Sequence, residues 1–295
     1  MDKNGLNGLV IRATSGFYYI QSGTHVIACK LRGRMKQNRY SVCVGDRVQF
    51  VPTGEAVGAI EQVLPRESFL KRPEVANVNQ AILTFSASHP QIDFGLVDRF
   101  MVLAELSEIP AILCINKIDM ANPDDLQPML EIYRQMGYPV LLVSAKTGQG
   151  VVELQKILYD KVSVFAGPSG VGKSSLLNTI EPGLRLTTGE LSQKIGRGKH
   201  TTRVAELLPL SGGGFVVDTP GFSFTEFIEM NPEDLRFQYR EFRDKLADSH
   251  FSSCSHQKEP QCAVKTAVNA GLIAASRYES YSELLLEIQQ TKRRF

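Results

Sequence analysis

Short runs of alternating apolar and polar residues fill the first part of the chain, and a helical rhythm joins them further on. GLVIRA (8–13), GFYYIQ (16–21), HVIACKLR (25–32), DRVQFVP (46–52) and VGAIEQVL (57–64) are rich in β-branched and aromatic residues and are parted by glycine turns such as Ser15-Gly16 and Gly45-Asp46. Such runs predict strands. Five short strands in so small a span suit a closed barrel, and the OB-fold is the common five-stranded solution. After the connection RPEVANVNQ (72–80), the apolar runs AILTFSA (81–87), IPAILCINKID (109–119), YPVLLVSAK (138–146) and SVFA (163–166) read as buried strands. Between them FGLVDRFMVLAELSE (94–108) sets Phe94, Val97, Phe100, Met101 and Ala104 at helical spacing. LQPMLEIYRQMG (126–137), GVVELQKIL (150–158) and KSSLLNTI (173–180) read as further helices. This alternation builds a parallel sheet with helices on both faces. VAELLPL (204–210) and GFVVDTP (214–220), joined through glycines, predict a hairpin. Near the end Tyr278, Tyr281, Leu284, Leu285 and Ile288 recur at helical spacing. The chain is thus expected to be multidomain: an all-β OB-fold barrel (1–68), an α/β domain (69–228) and a small, mostly α-helical domain (229–295).

Composition narrows the class. With 43% hydrophobic and 22% charged residues the chain reads as globular. It has neither a leader-like N-terminus nor an apolar run of about 18 residues, so a cytoplasmic protein with no membrane partner is expected. Five scattered cysteines argue against a disulfide framework. The net charge of +2 hides an asymmetry: residues 1–72 carry 11 Lys and Arg against 5 Asp and Glu, the remainder 22 against 26. A basic first domain suggests a polyanionic partner. Lys30, Arg32, Arg34, Lys36 and Arg39 cluster in one strand-loop unit and are the candidate RNA contacts. Phe17, Tyr18, Tyr19 and Tyr40 either fill the barrel core or offer stacking faces for bases.

The sharpest motif is GPSGVGKSS, Gly167, Pro168, Ser169, Gly170, Val171, Gly172, Lys173, Ser174 and Ser175, lying between a predicted strand and a predicted helix. Backbone N–H groups and a helix N-terminus can surround a phosphate there, with Lys173 on the β- and γ-oxygens and the Ser174 hydroxyl on Mg²⁺. The base is chosen elsewhere. In NKID, Asp119 can accept from guanine N1–H and the 2-amino group, which adenine lacks; Asn116 can address the other edge and the Lys117 stem can cover the ring. Ser144, Ala145 and Lys146 fit the loop whose backbone N–H reaches the guanine oxygen. Asp218 closes a buried strand, where it can hold Mg²⁺ through water, and Gly221 can meet the γ-phosphate. Thr201 or Thr202, in the polar stretch GRGKHTTR (196–203), can ligate Mg²⁺ when a γ-phosphate is present.

The order of these parts is unusual. Base recognition precedes phosphate binding, so the domain reads as circularly permuted, with AILTFSA, which would ordinarily follow DTPG, moved to the front. Neighbouring surface termini make such a rejoining tolerable.

In this order of motifs and domains the chain resembles, over nearly its whole length, the RsgA (YjeQ/YloQ) family of small-ribosomal-subunit-dependent, circularly permuted GTPases. The resemblance implies GTP hydrolysis to GDP and phosphate, stimulated by the small ribosomal subunit and its rRNA, in late subunit maturation, with Mg²⁺ and one Zn²⁺ per chain; a monomer is expected. The glutamine that many GTPases carry just after D-x-x-G is Phe222 here, and the family assigns water positioning to the histidine that matches His200. Cys254, His256 and Cys262 match three of the family's zinc ligands; the fourth position, a cysteine in the family, is Ser249, so either the neighbouring His250 swings in, the expectation the family's framework favours, or the site is incomplete. From spacing alone the cluster is either a metal site or a coincidence. Lys292, Arg293 and Arg294 either touch RNA or form a solvated tail. Two other readings share the phosphate loop: an ATP-dependent P-loop enzyme, which leaves NKID and SAK without a purpose, and an RNA-binding assembly factor that holds GTP only as a structural ligand.

Overall fold

A computed structural model describes residues 5–14, 16–33, 41–71, 73–184, 205–218, 230–251 and 253–292. Arg34, Lys36, Arg39, Tyr40, His200, Thr201, Thr202, Gly221, Phe222, Arg293 and Arg294 lie outside the described residues.

The alternating runs at the start of the chain form β1 (Leu6–Thr14), β2 (Phe17–Ser22), β3 (His25–Leu31), β4 (Arg47–Gly54) and β5 (Val57–Val63). They hydrogen-bond in the order β1-β2-β3-β5-β4, and β4 returns to β1, which closes an OB-like barrel. Every second residue points inward, and Val10, Ile20, Cys29, Val48, Phe50 and Ile60 make the barrel core. Beyond the barrel lies a hairpin the sequence pattern does not predict, β6 (Phe69–Lys71) and β7 (Glu74–Ala76). Its strands are too short to show a period. The buried Asp46 anchors this junction, accepting from the Cys43 backbone N–H at 2.8 Å and pairing with Arg66 at 2.7 Å.

The α/β part runs β8 (Gln80–Ser86), α1 (Phe94–Leu106), β9 (Ala111–Asn116), α2 (Gln127–Gln135), β10 (Val140–Leu142), α3 (Val151–Leu158), β11 (Val162–Ala166), α4 (Lys173–Ile180), β12 (Glu206–Pro209) and β13 (Phe215–Asp218). The strand order is β10-β9-β8-β11-β13-β12, parallel except for β12, which forms the expected hairpin with β13. The strands β8, β9 and β11 are buried along their whole length, as a sheet covered on both faces requires. Alternate residues feed two cores: Leu83, Phe85, Leu113 and Ile115 meet Phe100 and Met101 of α1 and Tyr133 of α2. Ile82, Ile112, Cys114 and Phe165 meet Leu154 of α3 and Leu176 of α4. At its outer edge β12 pairs with β1 at Arg12 and Glu206, so barrel and sheet are hydrogen-bonded into one.

The last part is helical: a 3₁₀ turn (Pro232–Gln238), α5 (Arg240–Leu246), α6 (Ala263–Asn269) and α7 (Ala275–Lys292). Tyr281, Leu284, Leu285 and Ile288 of α7 enter a core with Tyr239, Phe242, Cys254 and Cys262, and Val102 and Leu103 of α1 belong to it as well. No helix among the described residues is long and apolar enough to cross a membrane, and all five cysteines are free and buried.

Candidate nucleotide site and metal centre

In an open parallel sheet, ligands bind beyond the carboxyl ends of the strands, where the strand order reverses. Here that edge gathers four segments far apart in the chain: NKID after β9, the Ser144 loop after β10, the phosphate loop after β11 and Asp218 at the end of β13. The reversal falls between β8 and β11, since β9 follows on one side of β8 and β11 lies on the other.

The phosphate loop closes tightly against its neighbours. Gly167 has φ +143°, and a Cβ there would lie 2.0 Å from the Thr84 carbonyl oxygen. At Gly172, φ is +96° and a Cβ would lie 2.4 Å from Asn116 Nδ2. Only glycine meets both demands, a left-handed backbone and no side chain. Gly172 leads directly into α4, so Ser174 and Ser175 stand in its first turn. Lys173 Nζ reaches back over the loop, donating to the carbonyls of Gly167 at 2.7 Å and Pro168 at 2.8 Å. Burial lowers its pKa, so a polyphosphate beside it is favoured.

The NKID and SAK segments are organised around Asn116, which is 1% exposed. Its Nδ2 donates to the Val171 carbonyl at 2.9 Å, and its Oδ1 accepts from the Ala145 backbone N–H at 3.2 Å. Its amide thus spans the phosphate loop and the Ala145 loop and ties one to the other, with one N–H and one lone pair left for a further partner. Lys117, in the left-handed region at φ 64°, donates through Nζ to the Gly170 carbonyl at 2.6 Å and to the His89 carbonyl. Asp119 keeps its side chain 13% exposed and accepts from Ser144 Oγ at 2.6 Å on Oδ1. Lys146 Nζ stands 3.9 Å from its other oxygen. Ser144 Oγ also accepts from the Thr147 N–H at 3.1 Å. The Asp119 carboxylate is thus steadied by the Ser144 hydroxyl and Lys146, with acceptor capacity to spare. Burial raises the Asp218 pKa, so a cation beside that carboxylate is favoured.

In the helical domain Cys254, His256 and Cys262 offer donor atoms all within 4.8 Å of one another, each of them buried. His256 Nδ1 is 3.2 Å from Cys262 Sγ, and its Nε2 is buried without a hydrogen-bond partner. Burial, helped by the Arg236 charge, lowers the imidazole to about 4, so at neutral pH it is in the form a metal binds. Two thiols and a neutral imidazole fit zinc. His250 does not join them: its ring lies edge-on to Phe251, 4.7 Å between centroids, on an exposed residue. Ser249 Oγ instead accepts from the Ala263 N–H at 3.3 Å, next to Cys262.

On the barrel, Lys30 Nζ stands over the half-exposed Phe17 ring at 4.5 Å, and the Arg12 guanidinium over Tyr19 at 4.0 Å. Arg32 is paired with Glu61. Tyr18 packs against the barrel core. Sequence reasoning missed Val171 and His89 as the carbonyls that receive Asn116 and Lys117, because nothing in the local pattern marks a carbonyl partner 55 or 28 residues away.

A phosphate loop joined to NKID and SAK loops at one sheet edge, with the strands following one another in rotated order, defines a circularly permuted P-loop GTPase with an OB-type barrel before it. Family models described as the RsgA N-terminal domain and the RsgA GTPase match residues 7–60 and 63–228. The chain belongs to the RsgA family. The "Small ribosomal subunit biogenesis GTPase RsgA" of Caldanaerobacter subterraneus subsp. tengcongensis is 45% identical over 289 residues, 98% of either chain. That of Moorella thermoacetica is 46% identical over 290 residues, 98% of this chain and 100% of the relative. Among solved structures, YjeQ from Thermotoga maritima superposes with a TM-score of 0.85 at 41% identity, covering 96% of this chain and 98% of that one. YloQ, described as a circularly permuted GTPase, gives 0.84 at 38%, covering 98% and 96%.

Proposed function

We infer that this protein hydrolyses GTP to GDP and phosphate and serves small-ribosomal-subunit biogenesis, as the names of its relatives state for them. The observation that carries the reading is the Asn116 tie, which holds the phosphate loop and the Ala145 loop together at one sheet edge. Asp119 accepts from guanine N1–H and the 2-amino group, the Lys117 stem covers the base, and the loop of Ser144, Ala145 and Lys146 turns a backbone N–H to the guanine oxygen. Gly167 to Ser175 cradle the phosphates, and Lys173 neutralises the β- and γ-oxygens. Ser174 and Asp218 hold Mg²⁺, with Thr201 or Thr202 and with Gly221 at the γ-phosphate; the ion neutralises charge that develops on the transferred group. His200 orients the attacking water in place of the missing glutamine. Docking on the subunit brings this side chain to the water, from which slow isolated turnover and stimulation by the subunit follow.

The basic N-terminal domain supports contact with rRNA through Lys30, Arg32, Arg34, Lys36 and Arg39. Arg32 has to exchange Glu61 for phosphate to take part. Cys254, His256 and Cys262 hold one structural zinc. The protein acts as a monomer in the cytoplasm.

Phosphate release measured with and without small ribosomal subunits tests the reading. A strong stimulation is expected, with GTP displaced by GDP and not by ATP. Displacement by ATP would favour a general P-loop enzyme, and the absence of turnover on subunits would leave GTP a structural ligand. His200→Ala should abolish the stimulated rate and leave nucleotide affinity unchanged.

A further inference from the structure

A structural zinc is four-coordinate, and the cluster in the helical domain presents three donors. The surroundings bound the cluster on several sides. Two sides of the cluster are walled: Phe242 of α5 and Tyr281 of α7 pack on the His256 ring at 5.8 Å and 6.1 Å. The hydroxyls of Tyr278 and Tyr281 clamp the carbonyls of His256 at 2.6 Å and Ser255 at 2.9 Å. Segment 249–250 runs alongside 261–263, joined by His250 N–H to the Gln261 carbonyl at 3.5 Å and by Ala263 N–H to Ser249 Oγ at 3.3 Å. On this side Ser249 is half-buried and His250 exposed.

None of the described residues here supplies a fourth ligand comparable to the other three. The His250 ring is turned to Phe251. The nearest carboxylate in sequence, Glu259, is spent on the Ser255 N–H and hydroxyl and the N–H groups of Gln257 and Lys258. A serine hydroxyl is protonated at neutral pH and is a hard oxygen, a poor match for a metal already bound by two thiolates.

We propose that this centre is a three-ligand Cys₂His site whose fourth coordination position, on the Ser249 side, is open to an exchangeable ligand from solution. Water fills it at rest, and a thiolate or an imidazole enters when offered. The proposal rests on the zinc reading above. It makes this ion replaceable and chemically addressable, which a closed four-ligand site is not.

The test uses the full-length protein reconstituted with Co²⁺, whose visible bands report coordination number and thiolate count, and with Zn²⁺ in competition with a chromophoric chelator. Adding β-mercaptoethanol anaerobically to the Co²⁺ protein should shift the bands to a saturating end point. The variant Ser249→Cys should show that end-point spectrum without added thiol and no longer respond to it. Loss of a mere outer partner of a ligand costs about 10–100-fold in metal affinity, so a thiolate placed directly on the metal should tighten zinc binding by at least about 100-fold. His250→Ala should leave the spectrum unchanged. A wild-type spectrum indifferent to thiol, or one altered by His250→Ala, overturns the open position while leaving the zinc reading intact. Failure of folded protein, checked by circular dichroism, to take up either ion overturns both.

Discussion

Asn116 and Asp119 stand three positions apart in one motif yet make different contacts, and their variants should separate accordingly. Ser144 Oγ steadies one oxygen of the Asp119 carboxylate. Asp119→Asn replaces an acceptor by a donor opposite the guanine 2-amino group, and an unpaired buried polar group costs about 1–3 kcal/mol. GTP affinity should fall about 10–100-fold, and affinity for xanthosine triphosphate, which has an oxygen at that position, should rise. Asn116→Ala instead leaves the Val171 carbonyl and the Ala145 N–H without partners, so both nucleotides should bind more weakly by a similar factor. Titration calorimetry with the two nucleotides checks the pair; equal losses of both in Asp119→Asn would remove its assignment as the base reader.

At the scale of elements, the helical domain is fastened to the GTPase domain along α1. Arg277 of α7, 1% exposed, reaches Asp98 of α1, itself 3% exposed, and pairs with Glu241 of α5 at 2.7 Å. Tyr133 of α2 donates to the same Asp98 oxygen at 2.6 Å. Burial alone would lower the Arg277 pKa, but the two carboxylates outweigh it and keep the guanidinium charged. Arg277→Met strands the buried Asp98 charge, a change that costs about 3–5 kcal/mol; Asp98→Leu added to it should recover part of that, as urea denaturation can measure. A second element-scale device is the loop from Cys254 to Cys262. Burial opposes the Glu259 charge, but hydrogen bonds from Ser255 and Gln257 prevail and hold its pKa down to about 2. The unfolded value is about 4.3, so the stability it contributes is full above that pH and is lost as pH falls toward 2. The stability difference between wild type and Glu259→Gln should shrink across that window, as denaturation at a series of pH values would show. The barrel strands, the buried strands of the sheet and the helices flanking them were legible because each carries its period locally. The β6-β7 hairpin was not, having three residues per strand, and neither was the Arg277 network, whose partners are 179 and 36 residues apart in the chain. In the site, the motifs showed which chemistry was present. The geometry that turns Asn116 inward and leaves His250 outside the metal cluster depends on neighbours that no local pattern specifies.

At the scale of the whole molecule, α1 is shared between two cores. Val97, Phe100, Met101 and Ala104 pack under the sheet, while Val102 and Leu103 pack into the helical domain. The helix also begins just beyond the loop whose His89 carbonyl receives Lys117 Nζ, so it is rooted at the nucleotide edge. The inner core of the barrel, by contrast, is its own, although Leu9, Ile11 and Ala13 on β1 rest against the sheet core. GTPase and helical domains should therefore unfold as one cooperative unit, with the barrel as a separable one. Leu103 is fully buried, and a Leu→Ala change in a core costs about 2–5 kcal/mol; Leu103→Ala should lower the joint transition and leave the barrel's in place, and Ile20→Ala should do the reverse. GTP binds the joint unit, so at about 100 times its dissociation constant it should stabilise that transition by about 2.7 kcal/mol without moving the other. Scanning calorimetry with and without nucleotide reads both, and a helical-domain transition that separates from the GTPase domain, or that ignores GTP, would show that the shared helix does not couple them.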